Sequence, residues 1–240
     1  MCGILGYIKL NSKSTISKDV FSEALEFMSH RGPDNHGVKQ SDNLLLGHRR
    51  LSIIDISTKS NMPYLDKESG LIITYNGEVF NYLEIKQTLI KIGYVFTTNS
   101  DTEVILKSYI EWGDKCLDKF NGMFAFFIYD PLKKEGFGAR DRFGIKPFYF
   151  SELNQDFIFS SEIKPLLHLG VKPTPNYEYI NSYIVTSSLD YGSGSLIKEI
   201  SQIESGQCFT LKNNQISFFK WWTNNDLIVK LPNSYVERIK

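Results

Sequence analysis

The chain has 240 residues, of which 42% are hydrophobic and 14% aromatic, enough apolar material for one large core. Lys and Arg together number 27, as do Asp and Glu, so no charge excess favours nucleic acid or an anionic membrane as a partner. No stretch approaches the roughly 20 apolar residues that span a bilayer, and the N-terminus lacks the charged region and cleavage site of a secretory signal, so we expect a cytoplasmic protein.

The first half of the chain predicts short strands interrupted by helices with recognisable ends. Ser17 is a candidate N-cap, Gly93 stands where a helix C-terminus expects glycine, and Ser100 opens a capping pattern. The predicted helices are 17–28, 82–92 and 100–112; the predicted strands are 2–10, 44–47, 51–54 and 71–75, with a loop at 30–34.

The second half predicts more strands than helices. Short apolar runs separated by turn residues are typical of an antiparallel meander, and a final hairpin is expected over Asn213-Asn214. Helical stretches are expected at 161–169, stopped by Gly170, and around 180–185. The predicted strands are 124–129, 136–140, 148–151, 157–160, 207–211 and 216–219.

Cysteines and histidines show neither a disulfide framework nor metal-ligand spacing. Cys2, Cys116 and Cys208 are odd in number and far apart, which favours a reducing compartment. We interpret the histidines as surface or hydrogen-bonded side chains and predict no metal site. They are His30, His36, His48 and His168.

Cys2 has a specific chemical option because of its position. An initiator methionine is removed when the second side chain is small, and Cys2 would then carry its own base, an α-amino group that titrates near pH ~8. Gly3 would let a substrate approach the backbone beside the thiol. The alternative is an accidental cysteine on an ordinary buried strand, and position alone favours that alternative.

Nine motifs in roughly the first 170 residues change that balance. They are MCGILG (1–6), HRGPD (30–34), GHRRLSIID (47–55), MPY (62–64), YNGEVFNY (75–82), SDTEVIL (100–106), NGMFAF (121–126), RDRFGIKP (140–147) and SSEIK (160–164). In type and order they resemble the glutaminase domain of asparagine synthetase, a class II glutamine amidotransferase of the N-terminal-nucleophile hydrolase superfamily. Segments 31–34 and 140–147 resemble this branch more than the amidotransferases that make glucosamine phosphate or phosphoribosylamine.

The resemblance implies an α+β fold, a four-layer αββα sandwich of two antiparallel sheets, over residues 1–220. It also implies that Cys2 attacks the side-chain amide of L-glutamine, forming a γ-glutamyl thioester and releasing ammonia. A synthetase domain or subunit would use that ammonia to make asparagine from aspartate. No cofactor is implied for this domain, whereas ATP and Mg²⁺ are expected in the synthetase domain.

Three residues match the family's catalytic positions. Cys2 would be the nucleophile, and the side-chain amide of Asn76 and the backbone N–H of Gly77 would hold the oxygen of the tetrahedral adduct. The alternative for the last two is an ordinary Asn-Gly turn. The flanking motif, including Glu78, favours the catalytic interpretation.

Further residues match substrate-binding positions. Arg50 would hold the glutamine carboxylate in a bidentate contact, although the neighbouring Arg49 makes this match ambiguous by one position. Asp101 would bind the substrate ammonium, cap a helix, or do both. The remaining predicted contacts are Leu51, Ile53 and Glu78.

Other charged residues of the motifs are predicted to be structural. Arg31 and Asp34 would organise the loop over the site rather than touch the reacting atoms. A second set of charged residues, in the motif at 140–147, is predicted to form a structural cluster. It consists of Arg140, Asp141, Arg142 and Lys146.

The end of the chain leaves the acceptor of the ammonia open. The family's synthetase domain carries a Ser-Gly-Gly-x-Asp-Ser loop, which does not occur here. We expect residues 221–240 to be a linker toward that domain, with a helix starting at 234–240, and the resemblance allows a homodimer. Two alternatives remain: an amidotransferase that feeds a sugar or a natural-product acid, and a non-catalytic module that retains the fold.

Overall fold

The computed structural model describes residues 1–10, 15–188 and 192–223. The strands in these ranges are β1 (Gly3–Ile8), β2 (Asn35–Ser41), β3 (Leu44–Arg50), β4 (Tyr64–Leu65), β5 (Ile72–Val79), β6 (Gly122–Asp130), β7 (Glu135–Arg140), β8 (Tyr149–Leu153), β9 (Asp156–Ser160), β10 (Ser201–Gln202), β11 (Gln207–Lys212) and β12 (Gln215–Lys220). The helices are α1 (Lys18–Glu26), α2 (Tyr82–Lys91), α3 (Asp101–Trp112), α4 (Cys116–Lys119), α5 (Ile163–His168) and α6 (Tyr177–Thr186). No described helix is long and apolar enough to cross a membrane.

The described strands form two antiparallel sheets. Sheet 1 has the order β10-β8-β9-β1-β3-β2 and sheet 2 the order β12-β11-β7-β6-β5-β4. The sheets pack face to face through buried phenylalanines; the rings of Phe127 in sheet 2 and Phe159 in sheet 1 are 5.2 Å apart. Leu25 of α1 and Leu166 of α5 belong to the core on the outer face of sheet 1, and α2, α3 and α4 contribute to the core behind sheet 2. This arrangement confirms the predicted four-layer αββα sandwich.

Strand alternation aims two predicted catalytic residues at the same space. Successive side chains of a strand point to opposite faces. Ile4 of β1 lies in the core between the sheets, so Cys2, two residues earlier, faces the same side. Ile72 of β5 also lies in that core, and Asn76, four residues later, faces it too. One end of the inter-sheet space therefore receives both side chains.

The predicted helix ends and the final hairpin are present. The Ser17 side chain accepts a hydrogen bond from the N–H of Val20, and that of Ser100 accepts one from Thr102. Gly93 adopts a φ of 105° just after α2, as its predicted position requires. Strands β11 and β12 pair on either side of Asn213-Asn214.

Two strand predictions are wrong. Residues 51–54 form a loop rather than a strand, because β3 continues to Arg50 and side-chain bonds then turn the chain away. The predicted meander is broken between β7 and β8, which belong to different sheets. The chain changes sheet there because the Asp141 carboxylate accepts the backbone N–H groups of Phe143, Ile145 and Lys146 and folds the connection into a turn.

The predicted linker over 221–240 stays a prediction, but its first residue packs on the domain. The indole of Trp221 stacks near Phe124 at 6.0 Å and donates a hydrogen bond to the Arg140 carbonyl. The packed domain therefore includes this residue. The rest of the predicted linker and its helix, from 224 to 240, lie outside the described residues.

Candidate active site

A cavity of about 200 Å³ lies at the end of the inter-sheet space where β1, β3 and β5 meet the start of α3. Charged groups of both signs line it, which suits a zwitterionic ligand. All eight predicted site residues are among its lining residues, although they come from four separate segments of the chain. They are Cys2, Arg50, Leu51, Ile53, Asn76, Gly77, Glu78 and Asp101.

The backbone around Cys2 is held on both sides. Cys2 Sγ accepts a hydrogen bond from the N–H of Leu51 at 3.4 Å, and Arg31 Nε donates to the Cys2 carbonyl at 2.8 Å. Gly3 also lies in tight packing. A Cβ at this position would lie 3.1 Å from the sulfur of Met28, so the glycine permits packing against the segment after α1. The approach of a substrate beside it stays a prediction.

The Cys2 thiol is protonated at neutral pH. Burial raises its pKa above the ordinary value, and the Leu51 N–H, the terminal ammonium and Arg50 offset this only in part. A protonated thiol needs a base before it can act as a nucleophile. Met1 lines the cavity and is 58% exposed, so the peptide bond that would have to be cut to free the Cys2 amine lies at the surface.

Asn76 is the most informative residue of the cavity wall. It is 1% exposed, and its Nδ2 has no hydrogen-bond partner among the described residues. Buried amide donors are nearly always bonded, so an unpaired one needs an explanation. Beside it, a Cβ on Gly77 would lie 2.3 Å from the Met123 carbonyl, so only glycine fits against strand β6.

The strand that carries Asn76 is tied to sheet 1 directly beneath the cavity. His48 Nε2 lies 2.9 Å from the Tyr75 carbonyl, and Thr74 Oγ1 donates to the Gly47 carbonyl at 3.1 Å. Burial lowers the pKa of His48 to about 3, so the ring is neutral and Nε2–H is the donor. These two bonds fix the position of β5 relative to β3.

The structure separates the two neighbouring arginines. Arg50 faces the cavity, whereas Arg49 faces α1, where it pairs with Glu26. Arg50 Nη1 donates to the Ser57 carbonyl at 2.9 Å and to Asn61 Oδ1 at 2.7 Å, and Nη2 donates to the Asp55 carbonyl. Arg50 therefore holds the following loop with three of its five donors.

Asp34, one of the two predicted loop-organising residues, anchors the same loop together with Asp55. Asp34 Oδ2 accepts the N–H of Ser52 at 2.7 Å, and Asp55 accepts those of Ser57 and Asn99, each at 2.9 Å. Burial opposes ionisation of Asp55, but its hydrogen bonds outweigh this and lower its pKa. The loop is thus fixed to β3, to the segment after α1 and to the turn before α3.

Asp101 is the first residue of α3, but it is not the cap, since Ser100 takes that role. Its carboxylate accepts hydrogen bonds from the Tyr75 hydroxyl at 2.7 Å and from the Val79 N–H at 3.1 Å. Burial raises its pKa. Tyr75 was not predicted at the site, although it directly precedes Asn76 in the motif. That hydroxyl holds the predicted ammonium ligand in place.

One member of the predicted structural cluster lies at the site. Arg140 and Asp141 bond backbone groups, as expected, and Arg142 donates to the Phe120 carbonyl. Lys146, however, lines the cavity. No group of three or more His, Cys, Asp or Glu side chains is placed to hold a metal ion in the described parts of the chain.

Two stacked antiparallel sheets between helix layers thus place a cysteine just before an inner strand of sheet 1, facing the cavity. A family described as "Glutamine amidotransferase domain" matches residues 1–222, and the chain belongs to this family. Among solved structures, glutamine phosphoribosylpyrophosphate amidotransferase from B. subtilis shares the fold with a TM-score of 0.71 at 17% identity, covering 93% of this chain and 50% of that one.

Several sequence relatives are named as asparagine synthetases. The chain is 33% identical to asparagine synthetase [glutamine-hydrolyzing] 3 of Bacillus subtilis, over 92% of this chain and 36% of that protein. It is 37% identical to putative asparagine synthetase [glutamine-hydrolyzing] 2 of Methanocaldococcus jannaschii, over 92% of this chain and 46% of that protein. The chain therefore spans less than half the length of these relatives.

Proposed function

We propose that this domain hydrolyses L-glutamine to glutamate and ammonia through Cys2, after removal of Met1. The observation that carries the proposal is the buried, unpaired Nδ2 of Asn76 in the cavity that holds the thiol. An unpaired donor facing a nucleophile is what a tetrahedral oxyanion requires, because its hydrogen bond forms when the charge develops. The Gly77 N–H is the second proposed donor.

The proposed reaction proceeds in two stages. The free α-amino group of Cys2 takes the thiol proton, the sulfur bonds to the side-chain carbonyl carbon, and the electron pair of the carbonyl moves to its oxygen. The pair returns as the C–N bond breaks, and the departing nitrogen takes the proton and leaves as ammonia. Water then attacks the thioester and releases glutamate. The raised thiol pKa supports the need for this internal base.

Recognition of the substrate is assigned to other residues that line the cavity. Arg50 retains two donors for the glutamine carboxylate, and Asp101 offers a carboxylate for the ammonium. Glu78 would bind polar atoms of the substrate. Leu51 and Ile53 would contribute backbone contacts.

The final ammonia acceptor is proposed to be activated aspartate, giving asparagine. This proposal is supported by relatives at 32–37% identity that are named asparagine synthetases. ATP and Mg²⁺ would act in a synthetase domain or subunit, and no cofactor would be needed here. With ¹⁵N-amide glutamine, aspartate, ATP and Mg²⁺, the native protein that carries this domain should produce ¹⁵N-asparagine. Label in a different acceptor would exclude asparagine as the product.

The glutaminase proposal is tested on the processed chain. Intact mass should show loss of Met1, and an electrophilic glutamine analogue should label Cys2. Cys2→Ala should release no measurable glutamate and bind no label, while its melting temperature stays within about 2 °C of wild type because a single half-buried thiol is removed. Cys208→Ala, which changes a buried thiol away from the cavity, is the control and should keep full activity. Glutamate release by Cys2→Ala would refute the mechanism.

A further inference from the structure

Lys146 is a buried cation that the reaction described above does not use. It is 5% exposed and lines the cavity. Its backbone N–H and carbonyl are bonded to Asp141 and Arg140, but within the described residues its ammonium forms neither a hydrogen bond nor an ion pair. The side chain is buried, but its nitrogen is not fully enclosed by protein, so the ammonium reaches the cavity, where an anionic ligand can pair with it.

A second buried lysine shows how this protein pairs such a charge elsewhere. Lys107 is 3% exposed, and its ammonium contacts the Asp66 carboxylate at 3.3 Å. The rings of Tyr94 and Phe96 lie within 6 Å of it. The two lysines are equally buried, but only Lys107 has a partner in the fold. The difference indicates that the partner of Lys146 is a ligand.

The backbone connects Lys146 to the oxyanion end of the cavity. Asp141 Oδ2 accepts the N–H of Lys146 at 3.0 Å and that of Phe124 at 3.1 Å. Phe124 pairs directly with Gly77 in the register of β5 and β6. One carboxylate oxygen therefore positions Lys146 against the strand that backs the proposed oxyanion donor. Arg50, in contrast, lies at the end of β3 beside the loop.

We propose that Lys146 is a further catalytic residue whose ammonium faces the tetrahedral oxygen together with the Asn76 amide and the Gly77 N–H. This inference rests on the proposed glutaminase function. When sulfur bonds to the carbonyl carbon, the oxygen gains a full negative charge, and Lys146 neutralises it without giving up its proton. When the C–N bond breaks, the charge returns to the carbonyl and the ammonium is unpaired again.

The test compares Lys146→Met with Lys107→Met, since both variants replace a buried lysine by an uncharged side chain of similar length. Lys146→Met should lower kcat by about 10- to 100-fold, with KM changed less than about twofold, because the contact exists only in the transition state. Its melting temperature should stay within about 2 °C of wild type, because no hydrogen bond or ion pair of the ammonium with the described residues is lost. Lys107→Met should melt at a lower temperature and keep its kcat, because Asp66 loses its partner.

An aldehyde analogue of glutamine gives an independent readout, because Cys2 would convert it to a tetrahedral adduct. Lys146→Met should weaken inhibition by the aldehyde at least about tenfold while leaving KM for glutamine unchanged, and Lys146→Arg should recover most of both losses. Two outcomes would overturn the inference about Lys146 and leave the proposed function standing. They are a kcat for Lys146→Met within twofold of wild type, and a loss of kcat accompanied by a lower melting temperature. A wild type that releases no glutamate would refute the proposed function and the inference with it.

Discussion

The cavity has two walls that are built in different ways. The catalytic wall consists of Cys2, Asn76 and Gly77, which stand on or next to strands β1 and β5. The recognition wall consists of the loop 50–61 and Asp101. Strand pairing within each sheet positions the catalytic wall. Hydrogen bonds from side chains to backbone groups position the recognition wall.

This difference assigns different tolerances to the two walls. Residues on or next to a paired strand are held by the backbone, so changing a side chain there removes chemistry and leaves the geometry intact. A loop residue such as Arg50 holds its neighbours as well as the ligand, so changing it disturbs both. We expect catalytic-wall variants to change kcat without altering stability, and recognition-wall variants to change KM together with local order.

Among the variants that test this comparison, the largest effect is expected for Asn76→Ala. It should lower kcat by about 10²–10³-fold, equivalent to about 2.7–4 kcal/mol, because one oxyanion donor is lost. KM should change little, since the donor is used in the transition state rather than the ground state. Steady-state glutamate release measures both constants.

Asn81→Ala is the matched control for this variant. The Asn81 amide donates to the Lys119 carbonyl at 2.9 Å, and its oxygen accepts the Asn121 N–H at 2.9 Å. Its removal should lower the melting temperature and leave kcat unchanged. If Asn76→Ala instead lost stability and kept kcat, the unpaired amide would not be an oxyanion donor and the catalytic wall would be misassigned.

The strands beside the catalytic wall could be predicted because short-range rules govern them, whereas the catalytic roles of its residues stay predictions. Alternation along β1 and β5 follows from the apolar runs, and the helix caps Ser17 and Ser100 follow from local preferences. The motifs also predicted Asn76 and Gly77 at the cavity, and the structure brings them there.

The recognition wall was harder to predict for a physical reason. Leu51 to Ile54 is apolar and β-branched, which favours a strand, but the three bonds from Arg50 to the loop decide its path. Such contacts between side chain and backbone leave no periodic signal. Lys146 was missed in the same way, because a charged motif does not reveal which of its members lacks a partner.

A smaller effect is expected from His48, which lies under the catalytic wall and links the sheets. Its folded pKa is lowered to about 3, whereas an unfolded histidine titrates near 6.5. Between these values the unfolded state binds a proton that the folded state does not. The contribution of His48 to the free energy of unfolding is therefore fully present above about pH 6.5 and decreases as the pH falls. From pH 7 to pH 5 the free energy of unfolding should drop by about 2 kcal/mol from this group.

Urea unfolding of wild type and His48→Gln at both pH values isolates this contribution. Glutamine can still donate to the Tyr75 carbonyl but does not titrate, so the difference between pH 7 and pH 5 should be smaller in the variant by that amount. Equal pH dependence in the two proteins would show that the His48 ring is not held neutral. The link between the sheets beneath the catalytic wall would then be weaker than the hydrogen bond from His48 indicates.

The smallest effect, and the one that tests the loop side, is expected for Arg50→Lys. Lysine keeps the charge but cannot form a bidentate contact or hold three loop groups at once. KM should rise by about tenfold, equivalent to about 1.4 kcal/mol, with kcat changed less. Proteolysis within 51–61 should become faster, since the carbonyl groups of Asp55 and Ser57 lose their hydrogen bonds to the side chain of residue 50.

Arg49→Lys provides the control, because Arg49 points to α1 and pairs with Glu26 on the opposite side of the strand. It should leave KM and loop proteolysis unchanged. A rise in KM for Arg49→Lys with none for Arg50→Lys would transfer the carboxylate contact to the neighbouring arginine. A rise in KM for Arg50→Lys without faster proteolysis would separate ligand binding from loop support, and the recognition wall would then be as rigid as the catalytic one.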